Sequence, residues 1–362
     1  MFGYNLLQKL ETGERRNLLI SPASIELALG MAYTGASGKT AQAMSQTLGI
    51  NSSSREAALK ELAGLGAAME NPAPGVTLKL ANAAWIDESV HLEEKFSADL
   101  AETFKTKVES VSFNDPATVS RINDWVSNAT EGKINRLLED PPRPPMFLAN
   151  ALYFHALWGS PFPKQSTEEQ PFYPSDGTAL KVKMMRQKAR LPYARENGYA
   201  VVALPYVNDR FLMYCFLPDQ GVDPLVEELK NSSWSDLSRA LHPTEGSVAL
   251  PKFKFAYGTG LQKELTELGL GIAFDAHRAD FTRMVRGGPR FYIGSVIHKT
   301  FLEVDEEGST AAAVTGIQMR ATAMVRPREE FNLVFDRPFV AAIVDEKSGT
   351  SLFLGIVEKP ES

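Results

Sequence analysis

The run Met146-Phe147-Leu148-Ala149-Asn150-Ala151-Leu152-Tyr153-Phe154 places the tightest limit on the fold. It is nearly all apolar, leaves no polar face for water, and is too short to cross a membrane. It reads as a strand covered on both faces, so the chain needs a sheet with a layer on each side. The flanking pattern supplies the layers. Residues 2–10 read as a helix. Ser21-Pro22 provides an N-cap with proline at the first helical position, and Ile25, Leu27, Ala28 and Met31 follow as an apolar face. Residues 53–69 and 92–104 are further amphipathic helices, and residues 77–82 alternate as a strand does. Late in the chain, 339–344 and 351–357 read as two strands joined by a turn at Lys347-Ser348-Gly349. Runs of helices followed by runs of strands predict an α+β fold, not a regular βαβ alternation.

A second stretch is unusual for a loop. Glu306-Glu307-Gly308-Ser309-Thr310-Ala311-Ala312-Ala313-Val314-Thr315-Gly316 leaves a strand-like run at 301–304 and carries no helix periodicity. No charge follows Glu307 until Arg320. Surface loops are usually rich in Gly, Pro, Asn and Asp; this one is built from Ala, Thr and Val. At period two, one face carries Ser309, Ala311, Ala313, Thr315, Ile317, Met319 and Ala321. The other carries Thr310, Ala312, Val314, Gly316, Gln318 and Arg320. The first face suits a core and the second suits water, and a one-residue slip would bury Arg320. Composition alone equally fits an Ala-rich flexible loop, and both readings stand at this point.

Markers along the whole chain resemble the serpin family. Glu306-Glu307-Gly308 followed by small residues is similar to the proximal hinge of the serpin reactive loop. Asn17-Leu18-Leu19-Ile20-Ser21-Pro22-Ala23-Ser24-Ile25 is similar to the entry of helix B, and Gly35-Ala36, Gly38-Lys39-Thr40 and Leu48-Gly49 follow it. Ile122-Asn123-Asp124-Trp125-Val126, with Thr130, Gly132, Lys133 and Ile134, resembles helix F and its exit. Asn150-Ala151-Leu152-Tyr153-Phe154 with Trp158 resembles the central strand of the large sheet. Leu204-Pro205-Tyr206, Leu217-Pro218, Pro251-Lys252-Phe253, Ala279-Asp280-Phe281, His298-Lys299 and Val304-Asp305-Glu306 come in family order. Phe335-Asp336-Arg337-Pro338-Phe339 and Phe353-Leu354-Gly355 close the series. Each tripeptide alone is weak, and their order carries the resemblance.

Composition excludes other classes. At 362 residues the chain exceeds the usual size of one domain, but no Gly/Ser tract, charge block or composition shift marks a linker. The expectation is one domain over 1–362, with the Pro141-Pro142-Arg143-Pro144-Pro145 cluster as the alternative boundary. A net charge of −6 with mixed signs argues against a nucleic-acid partner. No apolar run approaches the roughly 18 residues of a membrane span. Cys215 is the single cysteine; it reads as a buried strand residue and forbids an internal disulfide. His91, His155, His242, His277 and His298 form no ligand spacing, so no metal or other cofactor is expected. Gly35 to Thr40 is similar to the end of a phosphate-binding loop, but Tyr33 stands where its first glycine belongs and a helix precedes it, not a strand. Helix termination at Gly35, then a cap for the next helix, is expected instead. No Gly-x-Ser-x-Gly occurs, and no catalytic residues stand out. Met1 directly precedes the first helix, which leaves no room for a signal peptide. The compartment is left open: extracellular or periplasmic if such a peptide has been removed, otherwise cytoplasmic.

The resemblance implies more than these residues state. It implies helices packed on a large mixed sheet with two smaller sheets, and an exposed reactive-centre loop at about 306–327. It implies a monomeric suicide inhibitor of serine proteases, trapped as a covalent acyl complex while the loop inserts as a strand. The implied hinge is Glu306, Gly308, Ser309, Thr310, Ala311, Ala312, Ala313, Val314 and Thr315. Thr310 departs from the glutamate usual in the family. Ser21, Ser24, Asn150 and His298 match the shutter, a polar cluster beneath the strands that part. Trp158, Lys252 and Glu306 match the breach at the top of the sheet, where a partly exposed ion pair is worth about 1 kcal/mol. Counting the loop by the family's common length puts the scissile bond at Thr322-Ala323, which suits elastase-like or subtilisin-like proteases. A trypsin-like cut after Arg320, a cut at Met324, and a non-inhibitory carrier or chaperone are the alternatives.

Overall fold

The computed structural model describes residues 2–11, 16–52, 54–70, 72, 74–104, 106, 108–207, 209–285, 291–308 and 330–361. The hinge beyond Gly308 and the bonds after Arg320 and Thr322 lie outside the described residues. Helices come mostly first: α1 (Phe2–Leu10), α2 (Pro22–Gly35), α3 (Gly38–Leu48), α4 (Arg55–Glu70), α5 (Glu94–Phe104) and α6 (Ala117–Ala129). Three short ones follow: α7 (Val222–Leu229), α8 (Trp234–Ala240) and α9 (Gln262–Leu265). The strands are β1 (Leu18–Ile20), β2 (Val76–Asp87), β3 (Val108–Val111), β4 (Met146–Ala156), β5 (Glu168–Phe172), β6 (Leu180–Glu196) and β7 (Tyr199–Pro205). They continue as β8 (Phe211–Pro218), β9 (His242–Pro251), β10 (Phe253–Gly260), β11 (Ser295–Val304), β12 (Phe331–Val334), β13 (Phe339–Asp345) and β14 (Thr350–Val357).

The main sheet has five strands in the order β10-β11-β4-β2-β3 and is mixed. β11 runs antiparallel to β10 and parallel to β4, pairing Ser295 with Phe147 through to Phe301 with Tyr153. β4 runs antiparallel to β2, and β2 parallel to β3. β4 is covered on both faces, as its composition requires. Phe147, Ala149, Ala151 and Tyr153 pack with Ile122 and Val126 of α6. Met146, Leu148, Leu152 and Phe154 join the larger core with α2. The two smaller sheets expected from the resemblance are continuous. The 17-residue β6 pairs with β5, β7 and β9, so nine strands share one ladder, β1-β14-β13-β8-β7-β6-β9-β12 with β5 on β6. Cys215 is buried in β8, where burial pushes its thiol pKa up.

Two devices position the functional elements. Ser21 caps α2, its hydroxyl accepting from the Ser24 N–H at 3.2 Å. This holds the start of α2 against the back of β4. After α6, the Asn123 carboxamide accepts from the N–H groups of Leu137 and Leu138 at 2.7 and 2.9 Å and donates to the Leu138 carbonyl at 2.9 Å. The Thr130 hydroxyl donates to the Val126 carbonyl and accepts from the Ile134 N–H. The exit of α6 is thereby strapped over the lower front of the sheet.

Candidate functional site

The top of the main sheet ends in a tight turn. The Asp305 carboxylate accepts from the N–H groups of Glu307 and Gly308 at 2.9 and 3.1 Å, and the Asp305 N–H donates to the Gly308 carbonyl at 2.9 Å. Gly308 then bridges antiparallel to Leu157, just past the end of β4. Its φ is +144°, and an added Cβ would stand 2.2 Å from the Ala156 carbonyl oxygen, so this position needs glycine. Trp158 holds the turn from below. Its backbone N–H donates to the Glu307 carbonyl and its indole N–H to the Asp305 carbonyl, each at 2.9 Å. The indole stacks on Tyr206 with ring centroids 4.4 Å apart.

The Glu306 carboxylate receives the Lys252 ammonium at 2.6 Å and the Thr167 hydroxyl at 2.8 Å. Burial raises its pKa, but the hydrogen bonds from Lys252, the backbone and Thr167 outweigh that and hold it below the usual range. Glu306 is 8% exposed, so the pair is more buried than a surface ion pair. Glu307 pairs with Lys164 beside it.

The centre of the sheet holds a second cluster, fully buried. The Ser21 N–H donates to His298 Nε2 at 3.0 Å, which leaves the ring proton on Nδ1, facing the Asn150 carboxamide oxygen. The Asn150 amide donates to the Ser24 carbonyl at 2.8 Å and also contacts the Ser24 hydroxyl and the Asn82 carboxamide oxygen. Burial pulls the His298 pKa down to about 3, so the ring is neutral at pH 7. His298 and Asn150 are partners across the β11/β4 seam.

The structure therefore brings together Ser21, Ser24, Asn150 and His298 in one place and Trp158, Lys252, Glu306 and Gly308 in another. The residue reading missed Asn82, Thr167, Asp305 and Tyr206. Asn82 had a signal, a carboxamide in an apolar strand that pairs directly with Asn150. Asp305 had another, an acid three residues before a glycine, able to cap a turn. Thr167 and Tyr206 meet the site only through tertiary packing.

The Serpin (serine protease inhibitor) family model matches residues 1–360. Serine protease inhibitor 42Dd of Drosophila melanogaster is 32% identical over 367 residues, covering 99% of this chain and 94% of its own length. Corticosteroid-binding globulin of Oryctolagus cuniculus is 31% identical over 369 residues, covering 99% and 94%. The crystal structure of the thermophilic serpin tengpin in its native state matches with a TM-score of 0.90 and 31% identity, covering 99% of this chain and 92% of that one.

Proposed function

The chain belongs to the serpin family, and from that premise we propose that it is a suicide-substrate inhibitor of serine proteases with its reactive-centre loop at 306–327. The observation that carries this reading is the seam between β4 and β11, with the Gly308–Leu157 bridge at its head. If the antiparallel register of that bridge continues down β4, residue 309 falls opposite Ala156, Thr315 opposite Asn150, and Met319 opposite Met146. Residues opposite one another share a face. Ser309, Ala311, Ala313, Thr315, Ile317 and Met319 would then face the large core, and the uncharged face chosen by composition is the one this register buries. Thr315 would lie between Asn150 and His298, where its hydroxyl can replace a seam hydrogen bond that opening breaks.

The chemistry needs no catalytic group from this chain. The protease serine attacks the carbonyl of Thr322, the amine of Ala323 departs with a proton, and an ester joins the loop to the protease. About 15 inserted residues at roughly 3.3 Å each carry the protease on the order of 50 Å. The displaced acyl-enzyme then stalls before hydrolysis. A monomer suffices, and elastase-like or subtilisin-like proteases fit the small residue before the cut. Incubation with elastase, subtilisin, chymotrypsin and trypsin tests this on denaturing gels. The expected result is an SDS-stable band at the summed mass and a released peptide starting at Ala323. A peptide starting at Ala321 with trypsin would move the bond to Arg320. Clean cleavage by every protease with no adduct would replace the proposal with a non-inhibitory carrier.

A further inference from the structure

We propose that the cavity between the α6 exit (Arg136 to Arg143), the end of β10 and the start of β11 is a binding site for a phosphate group carried on a small apolar body. The cavity is about 460 Å³. Ser295, Ile297 and Lys299 line it from alternate positions of β11. Ile297 packs with the α6 cluster, so the cavity lies on the front of the sheet. Gly258 and Gly260 of β10 stand opposite Lys299 and Ile297. They share that face and put no side chain on it, which leaves the space open. A Cβ at Gly258 would stand 3.4 Å from Cγ of Lys299. Arg136 to Arg143 form the wall beside these strands.

The polar groups lining this space are short of acceptors. Arg136, Arg143 and Lys299 line it together. Lys299 donates to the Arg136 carbonyl, while among the described residues Arg143 has no hydrogen-bond or ion-pair partner. The Ser295 hydroxyl is buried and has no hydrogen-bond partner, a state that folded proteins rarely leave unanswered. It can donate to an oxyanion. Two acids, Glu139 and Asp140, line the same wall and are exposed. Glu139 is 81% exposed and meets Arg136 only at 4.0 Å, so water and salt screen it. Lys299 shows which sign prevails. Burial and then the Arg136 guanidinium lower its pKa, and the Glu139 carboxylate does not make up the difference. An anion beside this half-buried ammonium would relieve both effects. Three cations and a hydroxyl suit a phosphomonoester, which carries a charge of roughly −1.5 to −2 and three strong acceptor oxygens. Leu137, Pro141 and Ile297 give the rest of the cavity an apolar wall for the body that bears it.

Isothermal titration of the full chain with phenyl phosphate, inorganic phosphate and phenol tests the site, with ionic strength held constant by sodium chloride. The expected result is saturable binding of phenyl phosphate, weaker binding of inorganic phosphate, and none of phenol. Arg143→Gln and Ser295→Ala each remove a group without a partner among the described residues, so both variants should keep the melting midpoint of the unaltered chain. Each is expected to weaken phenyl phosphate about tenfold, the effect of one charge-assisted hydrogen bond. Equal affinities for the two phosphates would overturn the apolar body and leave only the free ion as ligand. No saturable binding, or binding that neither substitution weakens, would overturn the site.

Discussion

His298 stays neutral because its ring is fully buried and its two nitrogens are already committed, one accepting from Ser21 and the other facing Asn150. Its pKa is about 3 in the closed sheet, against about 6.5 once exposed. Between these values the opened or unfolded chain binds more protons, so the closed state loses stability as pH falls from 6.5 toward 3. At pH 4.5 the loss from this group is about 2–3 kcal/mol. Denaturant midpoints at pH 7 and 4.5 check this, and a His298→Gln variant is expected to flatten the dependence. Lys252→Ala leaves the Glu306 carboxylate buried with Thr167 as its remaining side-chain partner, at a cost of about 1–3 kcal/mol. The turn at Asp305 to Gly308 should then loosen, seen as faster hydrogen exchange at the Trp158 indole, which donates to it. Pairs of this kind were legible when both partners carried a marked motif. Thr167 was not, because a threonine between a 3₁₀ turn and a strand has no local reason to face Glu306.

At the scale of elements, β4 was readable because burial on both faces leaves Asn150 the lone carboxamide in an otherwise apolar and aromatic run from Met146 to Phe154. β2 was seen only in its first half: 77–82 alternate, but Ala83, Ala84, Trp85 and Ile86 are all buried, so the period-two signal stops while the strand continues. β6 gave no signal at all. Its 17 residues include six lysines and arginines, because much of it lies on a half-exposed face that asks nothing apolar of them. On the proposed mechanism the α6 exit is the element whose mobility matters most, since an entering strand would pass beneath it. Asn123→Ala removes the group that holds the Leu137 and Leu138 amides and the Leu138 carbonyl. The expected cost is about 2–3 kcal/mol in denaturant unfolding, three hydrogen bonds at about 1 kcal/mol each. The same variant should take up a synthetic 309–322 peptide faster, a rate read on native gels.

For the molecule as a whole, the proposed mechanism makes the five-stranded sheet the less bonded of two arrangements. An antiparallel strand placed between β4 and β11 gains ladders on both sides where the parallel pair now has one. At about 1 kcal/mol net per added hydrogen bond, eleven or so new residues give on the order of 10 kcal/mol. Cleavage within 320–323 should therefore raise the guanidinium midpoint well above that of the intact chain, measured by circular dichroism on both forms. An unchanged midpoint would mean that the seam does not open.

The order of the nine-stranded ladder sets a timetable. β13 lies between β14 and β8, and β14 joins it to β1, so a hairpin made late in the chain fills the place between strands made long before. On a ribosome adding roughly 5–20 residues per second, β1 and β8 wait for their neighbours while the reactive segment has already emerged. On the proposed mechanism, the late hairpin would have to close the rear of the molecule before the seam at the front is filled.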